Sequence, residues 1–300
     1  MKILRFNDDR IGVVKESEHV VDISDVISYR VEKGPQRSIE ELIERFEILR
    51  EDIEKIVARE VGQPILNIKI LAPIPRPGKC ICAYVNYLED TKDVDLEKLP
   101  IEFFYKNPDL LPPEETIELL DIPAATVFHP EAELAVIIGK KAKNVNQENA
   151  MDYVFGYVPF FDISVRGLKR SSLFIAKGQD TFSPCGPWIT TKDEILDPHA
   201  LVVKSWKNRK LLQNFYTKDM IHKIPRQINW LTKFVQLHPG DLIATGTNRE
   251  GLGPINDGDV LEIEIERLGK ARFFVKGYGP RKEVKRESPP RILRLDITSV

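Results

Sequence analysis

The hydrophobic pattern before residue 72 is typical of one long amphipathic helix. Apolar residues from Ile39 to Val57 recur every three or four positions, which is the spacing of one helix face. The stretch Ser38–Glu41 has the form of a capping box, in which a serine hydroxyl and a glutamate three residues later satisfy free backbone amides of the first turn. We predict that this helix begins at Ser38 and ends before Gly62 and Pro64.

Short apolar runs separated by proline and glycine dominate the rest of the chain, and they predict β-strands. Before the long helix, strands are predicted at residues 2–6, 10–14 and 19–22. Two further helices are predicted near residues 147–154 and 225–235. The balance of elements therefore indicates a mostly β protein with peripheral helices, of the α+β class.

Prolines mark the main division of the chain. Three of them fall within residues 71–78, which predicts a stiff linker. A chain of 300 residues is long enough for one large core and a smaller lobe. We predict a small N-terminal α/β lobe at residues 1–72, a larger domain at 73–280 and a C-terminal extension at 281–300.

Two acids interrupt the apolar run from His129 to Gly139. Because residues i and i+2 of a strand point to the same side, Glu131 and Glu133 would present their carboxylates together. A second apolar run, residues 153–164, carries a lone acid at Asp162. Three carboxylates without cysteine or histidine form an oxygen-only ligand set, which suits Mg²⁺, Mn²⁺ or Ca²⁺ and argues against zinc.

A simpler explanation of the paired acids is also available. Glu131 and Glu133 could be the solvent face of an amphipathic edge strand, as the alternating glutamates of residues 260–266 are expected to be. Spacing alone favours this simpler explanation over a metal site.

A set of short segments occurs in a fixed order between residues 73 and 278. The segments are Asn86-Tyr87, Glu131–Leu134, Phe161–Arg166, Lys177–Phe182, Pro184–Ile189 and Pro239–Thr247. In this order and with these separations they resemble the fumarylacetoacetate hydrolase family. The resemblance changes the balance in favour of a metal site.

The resemblance implies a mixed β-sandwich roll that binds a divalent cation through Glu131, Glu133 and Asp162. Mg²⁺ is the expected ion, with Mn²⁺ or Ca²⁺ as alternatives. The resemblance also implies that Lys177 meets the substrate, where its charge would stabilise the enolate oxygen of a 2-oxo acid. Homodimers are common in the family, so a homodimer is expected. The candidate substrate-binding residues are Tyr87, Arg166, Thr245, Gly246 and Thr247.

Several of these candidates have a second interpretation. Residues 245–247 could form an ordinary β-turn instead of donating hydrogen bonds to a substrate oxygen. Arg166 could pair with an acid of the protein instead of with a substrate carboxylate.

The chain departs from the family pattern where water activation is expected. Hydrolytic members carry a histidine three residues after the Asn-Tyr pair and a glutamate three residues further on, and here these positions are Asp90 and Asp93. An aspartate is normally too weak a base near neutral pH unless burial raises its pKa. Asp90 and Asp93 are the candidate replacements for the missing pair.

Three functions therefore compete. The first is hydrolysis of a carbon–carbon bond in an acylpyruvate-like diketo acid. The second is chemistry that needs an enolate but no activated water, such as decarboxylation, isomerisation or dehydration of a 2-oxo acid. The third is a paralogue that binds metal and ligand without turnover.

Charge and hydropathy narrow the choice of partners. The formal net charge is −2, and the basic stretch at residues 281–291 has acids interleaved, so a nucleic-acid partner is not expected. No run approaches the roughly 18 apolar residues needed to span a bilayer, and residues 7–9 are polar where a signal peptide would have its apolar core. We expect a cytoplasmic enzyme that acts on a small 2-oxo acid.

Overall fold

A computed structural model describes residues 1–16, 19–27, 34–87, 99–122, 125, 127–168 and 173–277. Asp90, Asp93 and the predicted extension at 281–300 lie outside these residues. The strands within them are β1 Lys2–Phe6, β2 Arg10–Lys15, β3 His19–Asp22, β4 Gln63–Pro64, β5 Ile70–Leu71, β6 Cys80–Ala83, β7 Phe103–Tyr105, β8 Thr116–Leu119, β9 Val127–Ile138, β10 Val154–Arg166, β11 Ile189–Thr191, β12 Val202–Lys207, β13 Lys210–Tyr216, β14 Leu242–Ala244, β15 Val260–Ile265 and β16 Gly269–Gly277. The α-helices are α1 Gly34–Arg59, α2 Leu173–Lys177 and α3 Ile224–Phe234.

The larger sheet runs in the order β4-β3-β2-β1-β11-β10-β9-β14-β6-β7, with β5 paired to β1. Its centre is the long antiparallel pair of β9 and β10. Strand β1 joins this centre through β11, where Ile3 lies opposite Ile189. The sheet is therefore continuous across the predicted boundary at residue 72, and the division into domains stays a prediction.

The two faces of the larger sheet are covered by different elements. On one face, Val136 and Phe161 pack against a second sheet, ordered β13-β12-β15-β16-β8, with the rings of Phe161 and Phe273 6.1 Å apart. On the other face, Ile137 and Phe155 pack in a cluster with the apolar side of α1. The mostly β architecture with peripheral helices predicted from the sequence is confirmed.

Helix α1 differs from its prediction at its start. Ser38 lies within the helix, and its Oγ donates to the Gly34 carbonyl 3.0 Å away instead of to an amide of the first turn. The predicted capping box is therefore wrong, because a serine inside a helix can bond to the carbonyl four residues earlier. Helix α3 confirms the prediction at residues 225–235, whereas Gln147–Tyr153 is a 3-10 helix. No helix in the described ranges combines the length and apolarity needed to span a bilayer.

Candidate metal and substrate site

The register of β9 and β10 brings three acids together on one face of the larger sheet. Asp162 lies directly opposite Glu131, and Phe160 lies opposite Glu133, two residues along the same strand. Because side chains alternate between faces along a strand, all three carboxylates point to the side that carries α1. Each acid offers a carboxylate oxygen within 4.8 Å of the others.

These acids are not on a solvent-exposed edge. Strand β9 is hydrogen-bonded on both sides, to β10 and to β14. Glu131 is 5% exposed, Glu133 1% and Asp162 0%, whereas Glu264 on β15 is exposed. The alternative of an amphipathic edge strand is therefore wrong for Glu131 and Glu133. In β15, by contrast, buried apolar residues do alternate with more exposed glutamates.

Two cations lie against Glu131. Lys177 ends α2, and its Nζ lies 2.6 Å from Glu131 Oε2 while also contacting Asp162 Oδ2. Arg166, the last residue of β10, pairs with Glu131 Oε1. Burial alone would raise the pKa of Glu131, but the charges of Lys177 and Arg166 outweigh it and hold that pKa below its usual range. The internal ion pair considered for Arg166 is therefore present.

Glu133 is in a different electrostatic position. Burial and the neighbouring charge of Asp162 raise the pKa of Glu133 well above its usual range. The charge of Lys177 lowers this pKa too little to compensate. A divalent cation among the three carboxylates would supply the missing positive charge, and their oxygen donors suit a hard ion. The residues present therefore fit such a cation.

Lys106 is a buried member of the cluster that the sequence analysis missed. It follows β7, its side chain is 0% exposed, and its Nζ lies 2.6 Å from Asp162 Oδ1. The same ammonium donates to the carbonyls of Ile163 and Lys177, at 3.0 and 2.7 Å. Lys106 therefore ties the acid on β10 to the end of α2. Lys106 is a single lysine after three aromatic residues, and this pattern has no periodicity that would predict a buried residue of the site.

Replacing Lys106 by methionine should lower the free energy of unfolding by about 3 kcal/mol, because removing one partner of a buried ion pair leaves the other charge less compensated. Chemical unfolding of the metal-free protein measures this loss. Lys141→Met, at an exposed lysine, is the matched control and should change stability by less than about 0.5 kcal/mol. Equal effects of the two variants would contradict the structural role of Lys106.

The loop after β14 holds Glu133 in place. The Gly246 amide donates to Glu133 Oε2 at 2.8 Å, and the hydroxyls of Thr245 and Thr247 donate to backbone carbonyls of β9. Gly246 has a φ of +94°, and a Cβ there would lie 2.8 Å from the Cβ of Asn86, so a side chain would both strain the backbone and clash. All three groups donate their hydrogen bonds to atoms of β9, and substrate binding by Thr245, Gly246 and Thr247 stays a prediction.

Gln213 on β13 links this loop to β9 through hydrogen bonds, and it was also not predicted from the sequence. Its fully buried amide donates to Thr247 Oγ1 at 3.0 Å and to the Asn248 carbonyl at 2.6 Å. Its carbonyl oxygen accepts from the amide of Ala132, between the two glutamates, at 3.1 Å. Only the packing of the hairpin against β9 reveals this role.

A cleft open to solvent leads to the acids of β9. The ring of Tyr87 packs edge-on against Phe215 at 5.2 Å, and its buried hydroxyl has no hydrogen-bond partner among the described residues. An unsatisfied buried hydroxyl is costly, so a polar group of a ligand would be a favourable partner for it. The cleft is lined by Tyr84, Val85, Tyr87, Glu131, Glu133, Arg166, Lys177, Thr247 and Arg249.

A sequence model of the C-terminal domain of fumarylacetoacetate hydrolase matches residues 79–276. The chain belongs to the fumarylacetoacetate hydrolase family. The family predicted from the short segments is confirmed, and the match contains β6 to β15 and all three acids of the site. The catalytic candidates Asp90 and Asp93 lie outside the described residues and stay predictions.

Two relatives and one solved structure resemble this chain over two thirds or more of its length. A maleylpyruvate hydrolase of Aquipseudomonas alcaligenes is 33% identical over 292 residues, covering 92% of this chain and 99% of that protein. A mitochondrial oxaloacetate tautomerase of Xenopus laevis is 39% identical over 216 residues, covering 68% of this chain and 67% of that protein. The crystal structure of a maleylpyruvate hydrolase from Sphingobium sp. SYK-6, in complex with manganese(II) and pyruvate, is 36% identical with a TM-score of 0.82, covering 92% of this chain and 99% of that one.

Proposed function

We propose that this protein is a divalent-metal-dependent hydrolase that cleaves a carbon–carbon bond in an acylpyruvate-type diketo acid. The observation that carries the proposal is the buried cluster of Glu131, Glu133 and Asp162 with Lys177 against it, at the bottom of an open cleft. The similarity to two maleylpyruvate hydrolases over nearly their whole lengths supports the substrate class.

In this proposal the three carboxylates hold the ion, for which Mg²⁺ or Mn²⁺ are the candidates. When bound, such an ion supplies Lewis acidity toward the keto oxygen of a 2-oxo acid. Lys177 places a buried positive charge beside the oxygen that becomes the enolate, and Arg166 and Tyr87 orient the substrate in the cleft. Lys106 and Gln213 are positioning residues that hold Asp162, Lys177 and the Gly246 loop.

The reaction would consume one water molecule and yield pyruvate and a carboxylic acid. The water oxygen forms a bond to the acyl carbon, the bond between that carbon and the pyruvate methylene breaks, and the electron pair passes to the pyruvate enolate. A proton then returns to the methylene carbon. We propose Asp90 or Asp93 as the residue that takes the proton of the water.

An enolate-only reaction is the second candidate. It needs the acids and Lys177 but no base for water, which matches the absence of the usual histidine and glutamate at positions 90 and 93. The similarity to a mitochondrial oxaloacetate tautomerase favours this class specifically.

A substrate panel with Mg²⁺ or Mn²⁺ tests the proposal. Acylpyruvates, oxaloacetate and 2-keto-3-deoxy sugar acids are incubated separately, and products are identified by mass. Hydrolysis predicts pyruvate and a carboxylic acid from an acylpyruvate. Faster interconversion of keto and enol oxaloacetate, which leaves the mass unchanged and is followed by ultraviolet absorbance, would favour the second candidate if no cleavage accompanies it. Tight binding of Mn²⁺ and oxalate with no turnover would favour a non-catalytic paralogue.

A further inference from the structure

We propose that Arg249 binds a second, distal carboxylate of the substrate, so that the preferred acylpyruvate is a dicarboxylate. This inference rests on the proposed function and specifies its substrate class. Arg249 is not among the site residues predicted from the sequence.

The cations that line the cleft differ in whether they form ion pairs with the acids. Lys177 and Arg166 are both in ion pairs with Glu131. Arg249 lines the same cleft and is exposed, and its charge acts on Glu131 without a hydrogen bond between them. Among the lining residues that the structure describes, Arg249 is thus the cation that forms no ion pair with an acid of the site, and its guanidinium is free to bind a ligand. A planar guanidinium is suited to bidentate binding of a carboxylate.

The backbone on both sides of Arg249 is held in place. The carbonyl of Asn248 accepts from Gln213, and the carbonyl of Arg249 accepts from the Leu252 amide at 3.1 Å. Gly251 has a φ of +76°, and a Cβ there would lie 1.9 Å from the Leu212 carbonyl oxygen, so the loop lies directly against the β12–β13 hairpin. Arg249 therefore projects from a fixed point on the wall of the cleft.

The charges around the cleft favour a ligand with more than one carboxylate. Among the residues that the structure describes, three acids face four cations, namely Lys106, Lys177, Arg166 and Arg249. The first three of these cations pair with the acids, whereas Arg249 has no acid partner in the site. A dicarboxylate acylpyruvate brings one more carboxylate than a monocarboxylate, and Arg249 would be its partner. Charge complementarity of this kind discriminates between ligands.

The test compares two ligands that differ only in the distal carboxylate. The ligands are 2-oxoheptanedioate and 2-oxoheptanoate, which have no 4-keto group and so no bond that the proposed reaction would cleave. Each is titrated calorimetrically into the Mn²⁺-loaded full-length protein. For Arg249→Gln we expect roughly ten-fold or greater loss of affinity for the dicarboxylate, with the monocarboxylate changed by less than about two-fold. Arg59→Gln, at an exposed arginine of α1, is the control and should change neither.

The outcomes separate this inference from the proposed function. Equal binding of the two ligands by the wild type, or an equal change for both in Arg249→Gln, would overturn the role of Arg249 even if acylpyruvate hydrolysis is observed. A dicarboxylate preference that depends on Arg249, in a protein that hydrolyses no acylpyruvate, would support the carboxylate site and overturn the hydrolase proposal. Arg249→Lys should keep part of the preference, because the charge remains while the bidentate geometry is lost.

Discussion

Replacing Glu133 by alanine should abolish metal-dependent turnover and weaken Mn²⁺ binding by at least about 100-fold. Loss of a residue that only supports a metal ligand commonly costs 10- to 100-fold in affinity, so loss of a proposed ligand should cost at least as much. The substitution removes a carboxylate and little apolar volume, so the protein should remain folded. The Gly246 amide would lose its acceptor, at a cost of roughly 1–3 kcal/mol in unfolding free energy.

Calorimetric titration with Mn²⁺ and Mg²⁺, together with the substrate panel, measures these effects. Glu264→Ala is the matched control, because it removes the same side chain from an exposed position on β15. It should leave metal affinity and turnover unchanged. Full activity of the wild type in excess EDTA would contradict a metal-dependent reaction altogether.

Replacing Lys177 by alanine should lower kcat by roughly 10²- to 10³-fold, the usual effect of removing one donor to a developing oxyanion. Because Lys177 lies against Glu131 and Asp162, its removal takes a positive charge away from the acids. Since this charge repels a metal ion bound by the same acids, its loss should not weaken Mn²⁺ binding, and metal affinity should fall much less than kcat. A large fall in kcat without a matching fall in metal affinity would indicate that Lys177 acts in turnover and not in metal binding.

Single-turnover kinetics at saturating metal and Mn²⁺ titration of the same variant separate these quantities. Lys210→Ala, at an exposed lysine of β13, is the control and should behave like the wild type. A Lys177→Ala variant that turns over at the wild-type rate once enough metal is added would show that the oxyanion role is wrong. A fold check by circular dichroism excludes loss of structure as the cause.

Much of the secondary structure follows from local pattern. Strands β1 and β3 lie at their predicted residues, and α3 matches its prediction within one residue at either end. The predicted apolar stripe of α1 is present and packs on the larger sheet, although the helix includes Gly34 and the residues before Ser38. Local periodicity reports which side of an element is apolar, but a serine can serve either as a cap or as an internal donor.

The burial of the two glutamates on β9 could not be predicted from the local pattern of apolar and polar residues. Alternating acids occur on both β9 and β15, yet those of β9 are buried and Glu264 of β15 is exposed. Both strands have neighbours on either side, so the difference depends on which face of each sheet is covered, and the acids of β9 lie on the face that packs with α1. Only the family resemblance pointed to the buried arrangement before the fold was known.

The family, the mostly β class and the choice of the three acids and Lys177 as candidates could be predicted before the fold was known, because they depend on residue types and their separations along the chain. The antiparallel register that places Asp162 opposite Glu131, and the positions of Lys106, Gln213 and Arg249, became visible only in the folded chain. The residues that lie next to them in space are tens of residues away along the chain. Such contacts depend on how strands and loops pack together, and no local pattern of hydrophobic and polar residues records that packing.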